Sequence, residues 1–288
     1  MLRGSLMKTR LSSATKEVII GDELPTVLIG ERINPTGKKK MTAALEAGDL
    51  DVVRKEALAQ IEAGADVLDV NAATANTDEV TLLPKVVQAV MDTVDVPLCL
   101  DSSRPEALEA ALKLYKGKPL INSVTGQEES LREVLPLVRE YKAAVIGMTV
   151  DDEGIPDKVE RRVAIAHKIV ERAEKAGIAR EDVIIDCVTM TLGADPKTAL
   201  ITVESLRRIK EELGVNMTLG ASNVSFGLPN RDLINNAFLA VAMAAGLNCP
   251  VINVAKMRPI VLAVDLVMGR DKNAMRYIKA QRQPSQGA

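Results

Sequence analysis

Tryptophan is absent from the 288 residues, and aromatic side chains of all kinds make up 2% of the chain. A core without rings must be filled by Val, Ile, Leu, Ala and Met. That filling suits a parallel sheet sheathed by helices and argues against an antiparallel sandwich. Histidine occurs once, as His167, and cysteine three times, as Cys99, Cys187 and Cys249, with no C-x-x-C spacing. A zinc site takes three or four such ligands, so zinc is not expected, and an iron–sulfur centre is excluded on the same ground. The cysteines are odd in number and each lies in or beside an apolar run, which reads as buried free thiols of a reducing cytosol. No apolar stretch reaches the roughly 18 residues that would span a bilayer. The N-terminus "MLRGSLMKTRLSSATKE" also lacks the apolar region of a signal peptide, and reads as a disordered lead-in rather than a transit peptide. A cytoplasmic location is expected. Neither charge sign dominates (37 basic and 39 acidic residues), and no basic stripe is interleaved with aromatics, so nucleic acid is not an expected partner.

Apolar residues are plentiful instead, at 47% of the chain, enough for one large core. They recur in eight short runs: 27-VLIGERIN-34, 67-VLDVNA-72, 96-VPLCLDSS-103, 119-PLINSVT-125, 144-AVIGMT-149, 183-VIIDCV-188, 217-MTLGASN-223 and 250-PVINVA-255. Helical spacing with charged faces fills the gaps, as in 49-DLDVVRKEALAQIEAG-64, 104-RPEALEAALKLYK-116, 157-DKVERRVAIAHKIVERAEKAG-177 and 198-TALITVESLRRIKEELG-214. Pro105 suits a first helical turn, and Gly64, Gly177 and Gly214 stand where helices end in a left-handed residue. Strand then helix, eight times over, predicts a single (β/α)8 TIM barrel, a fold of about 250 residues. A doubly wound sheet is disfavoured because no G-x-G-x-x-G follows the first strand. The expected organisation is an extension over 1–24 with a small ribbon at 17-EVIIGDEL-24, the barrel over 25–282, and a frayed tail over 283–288.

Barrels of this kind work at the C-terminal ends of their strands. The residues leaving each run are Glu31, Arg32 and Asn34; Asp69 and Asn71; Asp101 and Ser102; Asn122 and Ser123; Thr149; Asp186; Ser222 and Asn223; and Asn253. A carboxylate accepts two hydrogen bonds side by side, and a carboxamide both donates and accepts. Asp101, Asn122 and Asp186 together could therefore saturate the pyrimidinone edge of a pterin, with its N3–H and 2-amino donors. Each residue also has a plain structural reading. Asp101 could cap the next helix, and Asn122 and Asp186 could satisfy backbone groups in loop turns.

The motifs "GERIN", "LDVN", "LCLDSS", "LINSV", "IIDC" and "GASNVSFGLPNR" occur in this order along nearly the whole chain. In this respect the sequence resembles the methyltetrahydrofolate:corrinoid protein methyltransferases, part of the pterin-binding barrel group. The resemblance implies pterin ligation by Asp101, Asn122 and Asp186, with Asp69 and Asn71 near the same pocket. It implies that Asn223 reaches N5 of the folate, and that Ser222 and Arg231, in the loop around it, are pterin-binding residues too. The implied ligands are tetrahydrofolate or 5-methyltetrahydrofolate and cobalamin held by a separate corrinoid carrier protein; the implied assembly is a homodimer. Methyl transfer then needs no enzymic nucleophile, and orientation with electrostatics supplies the rate.

Dihydropteroate synthase is the nearest rival, but its "N-V-T-P-D-S-F" stretch and its lysine on the seventh strand are missing; "ERINPTGKKK" and "ASNVS" stand there instead. A non-catalytic folate-binding module would use the same rim. The N-terminal extension favours transfer from methyl-corrinoid to tetrahydrofolate in an O-demethylation system. The alternative is transfer from methyltetrahydrofolate to a corrinoid iron–sulfur protein in the acetyl-CoA pathway. His167 lacks the D-x-H-x-x-G context of a corrinoid ligand and reads as a helix residue. Lys38, Lys39 and Lys40 read as a solvated helix start, with attraction of folate's polyglutamate tail or of an acidic corrinoid partner as the functional reading. The stretch 233-LINNAFLAVAMAAG-246, rich in Ala and Met, reads as barrel wall or dimer contact.

Overall fold

A computed structural model describes residues 7–282. The first six residues of the lead-in and the expected frayed tail, 283–288, lie outside the described residues. Two strands, β1 (Thr9–Ser12) and β2 (Glu17–Ile20), pair antiparallel as a ribbon. Eight parallel strands follow: β3 (Ile29–Ile33), β4 (Val67–Asn71), β5 (Leu98–Asp101), β6 (Leu120–Thr125), β7 (Ala144–Met148), β8 (Val183–Asp186), β9 (Asn216–Thr218) and β10 (Val251–Ile252). They run in sequence order around the sheet, with β10 paired to β3. The remaining seam closes through a parallel bridge between Gly220 and Val251, where the Val251 N–H reaches the Leu219 carbonyl at 2.9 Å. The (β/α)8 barrel predicted from the eight apolar runs is the fold.

Successive side chains in a strand point to opposite faces, so each strand divides its residues between barrel interior and helical sheath. Leu68 and Val70 of β4 pack outward under the helices, with Leu98 and Leu100 of β5 and Val183 and Ile185 of β8. Val67, Cys99, Leu120, Ala144, Ile146, Ile184 and Cys249 point inward and form a separate apolar plug, joined by Leu11 and Ile20 of the ribbon. Inward-facing residues of alternate strands stack in layers of four because the register is staggered around the barrel. Val67, Leu120, Ile184 and Cys249 make one layer; Ile29, Cys99, Ile146 and Thr218 make the layer above it.

The ribbon stoppers the opposite, N-terminal mouth. Asn216 at the start of β9 donates to the Thr9 hydroxyl at 2.8 Å and to the Ile20 carbonyl at 3.2 Å, and itself accepts from Asn248 at 2.8 Å. Over its described part, residues 7–17, this corrects the reading of the lead-in as disordered. Thr9–Ser12 is a strand, because Leu11 fills the barrel mouth and the Asn216 amide satisfies the buried Thr9 hydroxyl. The predicted glycine caps hold: φ is +97° at Gly64, +83° at Gly177 and +68° at Gly214. All three cysteines are buried free thiols, and among the described residues no helix is long and apolar enough to cross a membrane.

Candidate active site

The layering that fills the barrel with Val, Ile and Leu turns polar toward the C-terminal rim. Two residues above Val67, Leu120, Ile184 and Cys249 stand Asp69, Asn122, Asp186 and Val251, one layer drawn from alternate strands. The other four strands contribute Glu31, Asp101, Met148 and Gly220 above it. The substitution of carboxylates and carboxamides for aliphatic side chains in these two layers is what makes the site.

Asn71, Asp101 and Asn122 are register partners on three adjacent strands. The Asn71 amide donates to Asp101 Oδ2 at 3.0 Å, and the Asn122 amide donates to Asp69 Oδ1 at 3.2 Å. Each carboxylate keeps lone pairs for a ligand. Asp69 is 3% exposed. Burial pushes the carboxyls of Asp69 and Asp101 above the ordinary aspartate range, and the proximity of Asp69 raises Asp101 further. Burial likewise raises Asp186, to about 6, against hydrogen bonds from the Val188 and Gly220 N–H groups. Three carboxyls made costly to ionise by burial are suited to a ligand that brings several N–H donors.

The plain readings fare differently. Asp101 does not cap the helix Pro105–Leu112; the Arg104 N–H bonds to Ser102 Oγ at 3.0 Å instead. Asp186 does serve the loop, since its Oδ1 accepts from the Val188 N–H at 2.6 Å, leaving Oδ2 for another partner. Behind that loop lies Arg162, in the segment 157–177 whose spacing predicts a helix with a charged face, but only 2% exposed. It donates to the carbonyls of Pro156 (2.8 Å), Cys187 (2.6 Å) and Val188 (2.9 Å), and to the Thr202 hydroxyl (3.1 Å). Arg162→Leu strands the Pro156 and Cys187 carbonyls without a donor and leaves Val188 only the Thr202 hydroxyl, at a cost of about 3 kcal/mol. Scanning calorimetry should show the melting temperature lowered by roughly 5–10 °C. An unchanged melting point would mean that water replaces the guanidinium without loss.

The run 217–223 is an apolar start that Ser222 and Asn223 leave. Its strand stops at Thr218, and Ala221–Ser225 form a 3-10 turn closed by the Asn223 N–H on the Gly220 carbonyl at 3.2 Å. Asn223 thus stands over the rim on a turn and is exposed, so its carboxamide is open to a ligand. The eighth run is shortened similarly, to two residues, because a helix begins at Val254. Ser222 donates to both Glu31 oxygens, at 3.2 and 3.3 Å, tying this turn to the end of β3. Arg231 donates to Ser225 Oγ at 3.0 Å and to the Ser222 carbonyl at 2.8 Å, and lies over the Phe226 ring. Its contacts within the protein brace the loop.

Two residues were under-read from sequence. Glu31 was seen only as a residue leaving the first strand. Burial raises its carboxyl above the ordinary glutamate range, the Ser222 hydrogen bond partly opposing, so it can hold or release a proton beside the Asn223 turn. Lys38 was read as solvated. It is half-buried, donates to the carbonyls of Arg32 at 3.1 Å and Glu31 at 3.3 Å, and burial lowers its ammonium pKa. The alternating apolar pattern carries no signal for a lysine stem folding back onto a strand end.

The profile of the family described as pterin binding enzyme matches residues 30–253. A methylcorrinoid:tetrahydrofolate methyltransferase of Eubacterium limosum is 35% identical over 267 residues, covering 89% of this chain and 96% of that protein. The methionine synthase of Mycobacterium leprae (strain TN) is 31% identical over 250 residues, which are 82% of this chain and 21% of that larger protein. Among solved structures, dihydropteroate synthase from Xanthomonas albilineans with 4-aminobenzoic acid has a TM-score of 0.68 at 22% identity, covering 91% of this chain and 98% of that one. Likeness at that identity is a likeness of fold. The matches in sequence go further: the chain belongs to the pterin-binding enzyme family and, within it, to the methyltetrahydrofolate:corrinoid protein methyltransferases.

Proposed function

We propose that the protein transfers a methyl group between a corrinoid carrier protein and N5 of tetrahydrofolate, in the direction from methyl-corrinoid to tetrahydrofolate. The observation that carries this reading is the pair of polar layers at the rim, where Asp69, Asp101, Asn122 and Asp186 converge with unspent acceptor capacity. Near-full-length similarity to a relative named for that direction supports it. In this reading the pyrimidinone edge of the pterin lies against Asp101, Asn122 and Asp186, with Asp69 and Asn71 holding those side chains in place. N5 then faces the Asn223 turn, where the rim is open to a docked carrier.

The methyl leaves cobalt without its bonding electron pair, N5 supplies the new pair, and the N5–H proton is released. The carboxamide of Asn223 can accept from N5–H before transfer and donate to N5 afterwards without ionising. Glu31, linked to that turn through Ser222, is a carboxyl near the departing proton. No side chain need become a covalent intermediate; alignment and water exclusion supply the acceleration.

Rapid mixing of the protein with tetrahydrofolate and a methylated corrinoid carrier tests the reading, with loss of the methyl–cobalt absorbance as the signal. Transfer is expected with carriers from demethylating systems and not with a corrinoid iron–sulfur protein; the reverse preference would sink the proposed direction. Asn223→Ala should slow transfer by roughly 10–100-fold, because its partner atom changes character along the reaction. Folate affinity should move much less. Wild-type turnover in that variant would reduce Asn223 to a loop residue.

A further inference from the structure

Outside the rim pocket, a groove of about 570 Å³ lies between the segment leaving β3 and the helix Asp51–Glu62. Five cations line it: Arg32, Lys38, Lys39, Lys40 and Lys55. The one acidic lining residue, Glu56, is engaged by Arg32 at 3.4 Å. Among the described residues no carboxylate lies within ion-pair distance of the four lysines. The chain as a whole carries a net charge of −2, so this concentration of positive charge is local and not a general property of the surface. Apolar side chains of Met41 and Val52 form the floor. A cationic wall over an apolar floor suits a flexible chain of repeated carboxylates with methylene spacers.

The groove shares Lys38 with the end of β3, the strand that carries Glu31 into the rim. In the folate reading, with N5 toward Asn223, C6 is the neighbouring ring atom and so lies on the side of the Asn223 turn. Ser222 ties the Asn223 turn to Glu31 on β3. Lys38 belongs to both places: it lines the groove, and its Nζ sits on the carbonyls of Glu31 and Arg32.

We propose that this groove is a subsite for the γ-linked oligoglutamate tail of the folate, selecting polyglutamylated over monoglutamylated forms. The inference rests on the folate reading of the rim, and an acidic face of the carrier protein is the competing occupant.

Titration calorimetry with tetrahydrofolate carrying one or three glutamates separates the possibilities. The triglutamate should bind on the order of tenfold more tightly at low salt, several weak exposed ion pairs acting together. That advantage should shrink as salt screens the charges. In the Lys39→Gln/Lys40→Gln/Lys55→Gln protein the two ligands should bind alike, while the monoglutamate affinity and the melting temperature stay at wild-type values. Equal affinities in the wild type, or a preference that survives in the triple variant, would overturn the subsite. So would a variant that keeps its folate preference but saturates poorly with the corrinoid carrier, since the groove would then be a docking face. If neither ligand binds the wild type, the folate reading itself fails, which is a separable result.

Discussion

Asp101→Ala is expected to weaken tetrahydrofolate binding by a factor on the order of 10²–10⁴ without destabilising the protein. Asp101 sits in the uppermost inward-facing layer, between its register partners Asn71 and Asn122. One of its oxygens, Oδ2, accepts from the Asn71 amide at 3.0 Å, and Oδ1 has no side-chain partner among the described residues. Two charge-assisted hydrogen bonds to adjacent N–H donors of a pterin are worth about 1.5–3 kcal/mol each, hence the expected factor. Asp101→Asn should do nearly as badly, because an amide presents N–H where the ligand also presents N–H. Stability moves the other way. Asp101 is a buried carboxyl disfavoured by its own desolvation and by Asp69, so its removal relieves repulsion in the empty protein. Calorimetric titration and thermal melting on the same sample make the check. Affinity within about threefold of wild type would remove Asp101 from the ligand shell; a large fall in melting temperature would make it structural.

That opposition between affinity and stability also explains which parts of the site could be read in the sequence. A parallel strand buried on both faces appears as a continuous apolar run, so a carboxylate interrupting one is conspicuous. Asp69 in "VLDVN", Asp101 in "LCLDSS" and Asp186 in "VIIDCV" are interruptions of this kind, and the barrel geometry puts each of them on the inner face. Asn223 was legible as a polar residue in the loop after an apolar run, but not as part of a 3-10 turn. The bend at Gly220 depends on closure of the seam with Val251, a contact with a strand some thirty residues later. The burial of Lys38, read as solvated, and that of Arg162, in a helix with a charged face, escape the sequence for a common reason. Each carries its charge into the protein along an apolar stem to reach strand-end carbonyls, and a pattern of polar and apolar letters assigns such residues to solvent. The ribbon strand Thr9–Ser12 was missed because its only strongly apolar residue is Leu11. Its order comes from plugging a barrel mouth that exists only after the other strands have closed.

Folate affinity should fall steeply between pH 7 and pH 5, about two units above the range in which ordinary aspartates titrate. The pterin edge supplies N–H donors, so it binds the ionised carboxyls and must displace any protons they hold. Asp186 in the empty protein holds its proton up to about pH 6, burial being the main cause, and Asp69 and Asp101 are raised in the same direction. For one group half-protonated near pH 6, affinity at pH 5 is lower by about tenfold, and each further carboxyl that must ionise multiplies that loss. The sign for folding is opposite. A carboxyl raised above its unfolded value stabilises the fold fully below the unfolded value, and this contribution is lost as the pH climbs through the folded one. The site's contribution to stability is therefore least at the pH where the site binds best. Folic acid is the cleaner ligand for the titration, because its oxidised ring removes the basicity of N5 from the window. Calorimetry in buffers of different ionisation heat should register protons released on binding near pH 6, and Asp186→Asn should flatten the profile. An affinity constant from pH 7 down to pH 5 would mean that these carboxyls are already ionised in the free protein, or that the ligand does not touch them.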